Sequence, residues 1–221
     1  MKAFLLAAGK GRRLLPFTED NPKPLIKVGG ISLIERNILI LKESDVEEVI
    51  INLHHFGEKI IDLLGDGSNY DLKISYSLEE ELLGTGGGIH NAVHHFDEPF
   101  IVLSSDIWTD FNFSNLTLKE GLLANMILIP NPLANLKGDM GIVNGLIDHE
   151  NVEKKYTFSG IAILSPQLFT QSKVTESELW NDFLKPASIK GLVSGEIYMG
   201  ALKNLNSLEE VEKLDASLSE E

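Results

Sequence analysis

Short apolar runs alternate along this chain with segments in which apolar residues recur every three to four positions. The first pattern indicates buried β-strands, and the second indicates helices with one apolar face. Strands are predicted at Lys2–Ala8, Glu48–Leu53, Lys73–Leu78, Phe100–Ser104 and Asn125–Pro130. Helices are predicted between them, at Ser32–Glu43, Phe56–Leu64 and Gly86–His95. This alternation is typical of an α/β fold with a mainly parallel sheet and helices on both faces.

A second set of shorter elements follows and predicts a small additional sheet. Its strands are expected at Gly141–Leu146, Tyr156–Phe158, Gly160–Leu164 and Leu192–Met199. Its helices are expected at Ser177–Ala187 and Ser207–Leu218, with fraying from Asp215 onward because that tail is polar and acidic. No repeat or linker divides the chain, so one domain over residues 1–221 is expected.

The composition is that of an acidic globular protein without cysteine. The 221 residues include 33 acidic and 19 basic side chains, which give a formal net charge of −14. Such a surface repels nucleic acid and anionic membranes, so neither is an expected partner. The apolar runs are too short for a membrane span or a secretory signal. The lack of cysteine is compatible with a reducing cytoplasm, which is the expected location.

The first predicted strand leads directly into a glycine-rich turn. Gly9 and Gly11 leave backbone N–H groups uncovered, which is how a chain binds phosphate groups. Leu14 stands where a dinucleotide-binding fingerprint has its third glycine, and no Lys-Ser/Thr pair completes a P-loop. The turn nevertheless concentrates positive charge in an anionic chain, through Lys10, Arg12, Arg13 and Lys23.

A carboxylate is expected at the same edge of the sheet as this turn. Asp106 follows the apolar strand Phe100–Ser104 almost directly. The carboxyl ends of parallel strands meet at one edge, where ligands bind in such folds. Because Mg²⁺ takes one or two carboxylates together with substrate phosphates, Asp106 is a candidate magnesium ligand.

Four segments resemble, in the same order, motifs of the sugar-1-phosphate nucleotidylyltransferases. They are LAAGKGRRLLPFTEDNPKPL at 6–25, LLGTGGGI at 82–89, SDIWTD at 105–110 and TFSGIAIL at 157–164. The resemblance implies a Rossmann-like nucleotidyltransferase fold of the glycosyltransferase-A type. It also implies a Mg²⁺-dependent enzyme that transfers a nucleotidyl group from a nucleoside triphosphate to a sugar 1-phosphate, as a monomer or small homo-oligomer.

The resemblance also implies roles for individual residues. The expected catalytic residues are Arg13, Lys23 and Asp106. The expected nucleotide-binding residues are Ala7, Ala8, Gly9, Lys10, Gly11, Arg13, Lys23, Thr85, Gly86 and Gly87. The expected sugar-phosphate-binding residues are Glu153, Lys154, Ser159, Gly160 and Glu196.

One segment departs from the family pattern. Relatives carry a second metal-binding aspartate in a segment that reads roughly W-x-D-x-G-T, whereas this chain has Asn204 at the aspartate and Asn206 at the glycine. An amide oxygen still binds Mg²⁺ but carries no formal charge. The expected metal ligands are therefore Asp106 and Asn204, with weakened metal affinity and slower turnover.

Three functions remain open from the sequence. The motifs and length most resemble family members that use UTP with N-acetylmuramate 1-phosphate in cell-wall sugar recycling. The alternative within the family is GTP with mannose 1-phosphate. An alternative of another class is a non-catalytic nucleotide or sugar-nucleotide binding protein, which the Asn204 substitution suggests.

Overall fold

Strands with apolar side chains on both faces place the central sheet of this protein between two layers of helices. A computed structural model describes residues 1–150, 152–170 and 173–218. Its strands are β1 (Lys2–Leu6), β2 (Lys27–Val28), β3 (Ile31–Ser32), β4 (Glu48–Leu53), β5 (Lys73–Leu78), β6 (Phe100–Ser104), β7 (Ile107–Thr109), β8 (Ala124–Pro130), β9 (Gly141–Val143), β10 (Leu146–Asp148), β11 (Tyr156–Leu164), β12 (Val193–Ile197) and β13 (Leu202–Asn204). Its α-helices are α1 (Leu33–Glu43), α2 (Gly57–Leu64), α3 (Gly84–Ala92), α4 (Lys185–Ile189) and α5 (Leu208–Leu218).

The central sheet confirms the predicted α/β class. In the described residues it has nine strands in the order β5-β4-β1-β6-β11-β8-β12-β10-β9. Strands β5, β4, β1 and β6 are parallel, whereas β11 is antiparallel to both β6 and β8. Small two-stranded sheets of β7 with β13 and of β2 with β3 lie beside it. The strands of the second set, β9 to β12, belong to the central sheet and not to a separate small one. The observed strands β4, β5 and β6 have the bounds that the apolar pattern predicts.

Alternate residues of the strands form two separate cores, one on each face of the sheet. In β1, Ala3 and Leu5 face the core that contains Ile34 and Ile38 of α1. Phe4 faces the other core, with Ile89 of α3 among its members. These strands are fully buried because helices cover both faces, as is usual for parallel sheets.

The expected strand Gly141–Leu146 is instead a hairpin of β9 and β10. Asn144 and Gly145 both have left-handed backbones, with φ of 51° and 81°. A two-residue turn of this kind matches the twist of the two flanking strands, which is why Asn-Gly pairs favour it. The Asn-Gly pair is a hairpin signal in the sequence, and a prediction from the apolar pattern alone does not take it into account.

Two expected strands, Tyr156–Phe158 and Gly160–Leu164, are one strand, β11, with a bulge between them. The register with β8 shifts between Phe158 and Ile161, so that Ser159 and Gly160 form the bulge. Gly160 has a φ of +88°, and a methyl group there would lie 2.5 Å from a carbon of Ile107. A bulge bends the strand and redirects its side chains without ending the pairing.

The segment expected to be one helix at Ser177–Ala187 begins later and changes its winding. It is a π-helix over Leu179–Leu184, which continues as α4. Pro186 has no backbone N–H group and therefore cannot donate within the preceding helical turn. The π-helix is confined to this short segment before α4, which is how π-helical turns usually occur in proteins.

The last helix extends through part of the tail that was expected to fray. Helix α5 runs to Leu218, and the side chain of Asp215 accepts a hydrogen bond from the N–H of Gly29 at 2.7 Å. Val211 and Leu214 of α5 are buried in a third apolar cluster with Leu14 and Ile26. Residues 219–221 of the expected tail lie outside the described residues.

Among the described residues, the structure contains no helix that is both long and apolar enough to cross a membrane. The division of the chain into domains is not decided by these features, so a single domain over residues 1–221 stays a prediction.

Candidate active site

A cleft of about 460 Å³ opens at the carboxyl ends of β1, β4 and β6. Strand β1 brings the glycine-rich turn to it, β4 brings Asn52 and β6 brings the segment that contains Asp106. The cleft therefore lies at the edge of the sheet that the strand order predicts. The expected site residues that line it are Ala7, Ala8, Gly9, Lys10, Gly11, Arg13, Lys23, Thr85 and Asp106.

The glycine-rich turn exposes its cations and fixes its own shape. Lys10 and Arg13 are exposed, whereas Leu14 is buried and packs in the third apolar cluster. Gly11 has a left-handed φ of +60°, and its carbonyl accepts a hydrogen bond from the Thr18 hydroxyl at 3.1 Å. A side chain at position 11 would also press on Lys23, since an added methyl group lies 3.0 Å from its Cβ atom. The turn is thus a shaped, positively charged rim of the cleft.

Lys23 and Asp106 form an ion pair inside the cleft. The Lys23 Nζ atom lies 2.6 Å from the Oδ2 atom of Asp106. Lys23 is only 9% exposed, and Pro22 and Pro24 on either side restrict the backbone that carries it. Asp106 lies between β6 and β7, with its side chain 26% exposed. Two residues that are 83 positions apart in the chain are therefore in direct contact.

Asn206, rather than Asn204, has its side chain at this ion pair. The Lys23 ammonium donates a hydrogen bond to the Asn206 Oδ1 atom at 3.3 Å. The Asn206 Nδ2 group donates to the carbonyl of Asn204 at 3.3 Å, which turns the Oδ1 atom toward Lys23. Glu210, in the first turn of α5, accepts hydrogen bonds from the N–H groups of Asn206 and Ser207, and Ser207 caps the helix by accepting from the N–H of Glu210. Asn204 itself is exposed at the end of β13, paired with Ile107.

The second glycine-rich segment packs against another part of the chain. The N–H groups of Gly86 and Gly87 both donate to the Ser177 carbonyl, at 2.9 and 3.2 Å. Gly86 and Gly87 are buried and do not line the cleft, so their expected contact with the nucleotide stays a prediction. Thr85 does line it, and its hydroxyl donates to the Glu178 carboxylate at 2.8 Å.

Two polar residues that no motif singles out, Asn52 and Glu79, form a buried pair at the cleft: Asn52 lines it, and Glu79 lies behind the lining. Asn52 interrupts the apolar run of β4 and is 2% exposed, and Glu79 follows β5 and is 6% exposed. The Asn52 side chain accepts from the N–H of Ala7 at 2.8 Å and donates to Glu79 at 2.7 Å. A polar residue inside an otherwise apolar strand was the one available sequence signal, since buried polar groups require partners.

The residues expected on the sugar side lie apart from the lining of this cleft. Ser159 is buried in the bulge of β11, and Gly160 packs against Ser104, which does line the cleft. Glu153 forms an ion pair with Lys155 at 3.0 Å rather than with Lys154. Glu196 accepts a hydrogen bond from Asn125 at 2.7 Å. Their expected role in binding a sugar phosphate stays a prediction.

One titratable group beside the site has a strongly shifted pKa. Burial raises the pKa of Tyr198 to about 12, and its hydrogen bond to the Asp110 carboxylate adds to this effect. Asp110 follows β7, whose partner β13 leads into Asn206. The phenol thus supports the small sheet from outside the cleft and stays protonated at neutral pH.

Comparison with known proteins agrees with this geometry. The family model described as Nucleotidyl transferase matches residues 2–124, which is more than half of the chain. An N-acetylmuramate alpha-1-phosphate uridylyltransferase from Neisseria meningitidis is 34% identical over 209 residues, covering 90% of each chain. A mannose-1-phosphate guanyltransferase from Candida glabrata is 30% identical over 185 residues, which cover 76% of this chain and 51% of that protein.

The fold is also similar to that of solved structures. HddC from Yersinia pseudotuberculosis, complexed with GMP-PN, superimposes with a TM-score of 0.80 at 22% sequence identity. The match covers 98% of this chain and 99% of that one. With the family match over its first half and the uridylyltransferase match along nearly all of it, this chain belongs to the nucleotidyl transferase family of enzymes.

Proposed function

We propose that this protein transfers a nucleotidyl group from a nucleoside triphosphate to a sugar 1-phosphate. An oxygen of the sugar phosphate forms a bond to the α-phosphorus, the bond from that phosphorus to the bridging oxygen of the β-phosphate breaks, and pyrophosphate leaves. The observation that carries this proposal is the Lys23–Asp106 pair at 2.6 Å, inside a cleft rimmed by an exposed, cationic glycine turn. Transfers of this type depend on positioning and on cations near the developing charge rather than on covalent chemistry by the protein.

Each group in the cleft has a separate task in this reaction. The N–H groups of Gly9 to Gly11 and the guanidinium of Arg13 bind the triphosphate, which an otherwise anionic protein would repel. Lys23 binds the phosphates around the reacting phosphorus, where its buried position places a fixed positive charge. Glu153, Lys154, Ser159, Gly160 and Glu196 are proposed to bind the sugar phosphate.

The donor atoms at Asp106 fit a magnesium ion. Asp106 offers a partly exposed carboxylate, and the amide oxygen at the same ion pair belongs to Asn206. Asn204, the expected second ligand, is exposed at the end of β13, so its contact with the ion is part of the proposal. The described residues contain no group of three or more His, Cys, Asp or Glu side chains that could hold a metal ion. One carboxylate with neutral oxygens suits Mg²⁺ because the substrate phosphates supply the remaining ligands. When bound, the ion would neutralise charge on those phosphates.

UTP and N-acetylmuramate 1-phosphate are the proposed substrates. The uridylyltransferase from Neisseria meningitidis supports this choice because the similarity covers 90% of both chains. The proposal includes a role in cell-wall sugar recycling, a cytoplasmic location, and action as a monomer or small homo-oligomer. GTP with mannose 1-phosphate is the alternative pair, supported by the similarity to the guanyltransferase from Candida glabrata.

Pyrophosphate release with a matrix of substrates tests the proposal. UTP, GTP, dTTP and ATP are each combined with N-acetylmuramate, mannose, glucose and N-acetylglucosamine 1-phosphates, at saturating Mg²⁺. The fastest release is expected from UTP with N-acetylmuramate 1-phosphate. A faster reaction of GTP with mannose 1-phosphate would replace that substrate assignment with the alternative.

A non-catalytic nucleotide or sugar-nucleotide binding protein is the second candidate function. Asn204 favours it because the second aspartate of the family motif is missing. Nucleotide binding by calorimetry, without pyrophosphate release from any pair, would support this candidate against the enzyme.

A further inference from the structure

A buried carboxylate that the proposed reaction does not use lies directly behind the nucleotide cleft. Glu79 is 6% exposed and follows the last residue of β5. Its Oε1 atom accepts a hydrogen bond from Asn52 Nδ2 at 2.7 Å, and its Oε2 atom accepts from the N–H of Leu83 at 2.9 Å. Both oxygens of one buried carboxylate are therefore held by two different parts of the cleft wall. Buried groups with this many specific contacts restrict the positions of their partners.

Asn52 extends the contact to the strand that carries the phosphate-binding turn. Its Oδ1 atom accepts from the N–H of Ala7 at 2.8 Å, and it is 2% exposed. Because its Nδ2 group donates to Glu79, the amide has one orientation in which the donor and the acceptor are both satisfied. The carboxylate of Glu79 thereby fixes the amide that holds Ala7, two residues before the exposed turn at Gly9.

The direct contact of Glu79 with Leu83 leads to a second part of the cleft wall. Leu83 precedes Gly84, which lines the cleft with a left-handed φ of +73°. Helix α3, which begins at Gly84, packs so closely that a methyl group at Gly88 would lie 2.6 Å from Asn52 Nδ2 and from Glu79 Oε1. The backbone of Glu79 also contacts β4, since its N–H donates to the Leu53 carbonyl at 2.8 Å.

We propose that Glu79 is a positioning residue for nucleotide binding. Through Asn52 it sets the position of Ala7 on one wall, and through its own Oε2 atom it sets the position of Leu83 on the other. The two walls are then held at the spacing at which both contact the same nucleotide. This role rests on the proposed function, since it concerns the same cleft.

An exchange of the two side chains tests this role directly. In Glu79→Gln, an NH₂ group replaces one carboxylate oxygen and faces a donor, either Asn52 Nδ2 or the N–H of Leu83. In the double variant Glu79→Gln/Asn52→Asp, the new aspartate accepts from Ala7 and from the glutamine NH₂, while the glutamine oxygen accepts from Leu83. Every hydrogen bond is restored and the net charge is unchanged.

The measurement is the dissociation constant for UTP in Mg²⁺ by calorimetry, without sugar phosphate, with GTP as the second ligand. Glu79→Gln is expected to bind about tenfold more weakly because one buried donor loses its partner and the walls shift. Asn52→Asp is expected to weaken binding similarly, since two carboxylates would then face each other. The double variant is expected to recover most of the native affinity.

The exposed residue Glu80 provides the matched control, because Glu80→Gln removes the same charge one position away. It is expected to leave affinity unchanged or slightly raised, since the ligand is anionic. Thermal unfolding of every variant separates loss of affinity from loss of folded protein.

The outcomes are distinct. Native affinity in Glu79→Gln, or a double variant no better than the single variants, overturns the positioning role. A fall in melting temperature at unchanged affinity assigns Glu79 to stability alone and also overturns it. A native protein that binds neither UTP nor GTP overturns the proposed function itself.

Discussion

Two glycine-rich segments border the cleft of this protein, and they lack side chains for different reasons. At Gly9, an added methyl group would meet nothing within 4 Å among the described residues. At Gly87, the same group would lie 2.3 Å from the carbonyl oxygen of Thr175, and at Gly86 it would lie 2.6 Å from the Phe183 ring. Gly9 in the first segment leaves space open for a ligand, whereas neighbouring chain fills the space at Gly86 and Gly87 in the second. Glycine content alone does not distinguish a ligand contact from close packing.

The largest effect on activity is expected at Lys23, whose ion pair with Asp106 lies beside the first glycine-rich segment. Lys23→Met keeps most of the side-chain volume but removes the charge beside Asp106. The rate of pyrophosphate release is expected to fall about 100- to 1,000-fold, because a fixed cation near the reacting phosphates is lost. The exposed residue Lys10 provides a matched control, and Lys10→Met is expected to cost much less. Equal losses in the two variants would contradict a special role for Lys23.

A pair of alanine substitutions tests the comparison itself. Gly87→Ala is expected to lower the free energy of unfolding by about 1–3 kcal/mol, because it forces closely packed atoms apart. Gly9→Ala is expected to change that free energy by less than about 0.5 kcal/mol, since its surroundings are open. Affinity for UTP should show the reverse order, with the larger loss in Gly9→Ala. Urea unfolding and calorimetry measure the two quantities, and the same ranking in both would remove the distinction between the segments.

A smaller effect is expected where the family motif is altered. Asn204→Asp adds the carboxylate that relatives have, so the half-saturating Mg²⁺ concentration for turnover is expected to fall about three- to tenfold. Asn206→Asp is the comparison variant, since the Asn206 oxygen is the one that contacts Lys23. A change in Asn206→Asp but not in Asn204→Asp would show that the motif is aligned two residues too early at this point.

The smallest effect concerns Tyr198, which lies outside both glycine segments and serves as a reference for stability alone. Its pKa is raised from 10.0 to about 12 in the folded protein. The stabilisation linked to this proton is complete below pH 10 and is lost as the pH rises toward 12. The difference in free energy of unfolding between native protein and Tyr198→Phe should therefore shrink between these values. A constant difference across that range would contradict the raised pKa.

The sequence predicts the sheet well because its signals are local. Strands such as β4 and β6 are apolar runs bounded by polar residues, and Gly9 to Arg13 follow the end of β1 with two residues between. The contact of Lys23 with Asp106 was predictable only in part. The glycine-rich turn and Asp106 were expected at one edge of the sheet because the carboxyl ends of parallel strands lie there. The place of Lys23 in the site was expected only from the resemblance to family motifs.

The contacts that the sequence did not predict join distant positions. Asn52 and Glu79 are 27 residues apart, and Asn206 is 183 residues from Lys23. Neither pair has a spacing that a local pattern could detect, because tertiary folding alone brings them together. The packing of Gly86 and Gly87 against Ser177 was missed for the same reason, since a glycine carries no sign of the atom that will occupy its free space.

The hydrogen bond between Asp215 of α5 and Gly29 joins the last helix to the turn between β2 and β3, 186 residues earlier in the chain. Proteolytic trimming of that helix would remove the acceptor for Gly29, together with part of the apolar cluster that holds Leu14 and Ile26. Loss of the carboxyl-terminal helix would therefore first destabilise the turn at Gly29 and the segment that contains Leu14 and Ile26. An affinity tag for purification is better fused ahead of Met1. The amino group of Met1 lies by Glu47, at the amino ends of β1 and β4, whereas the cleft is at the carboxyl ends of these strands.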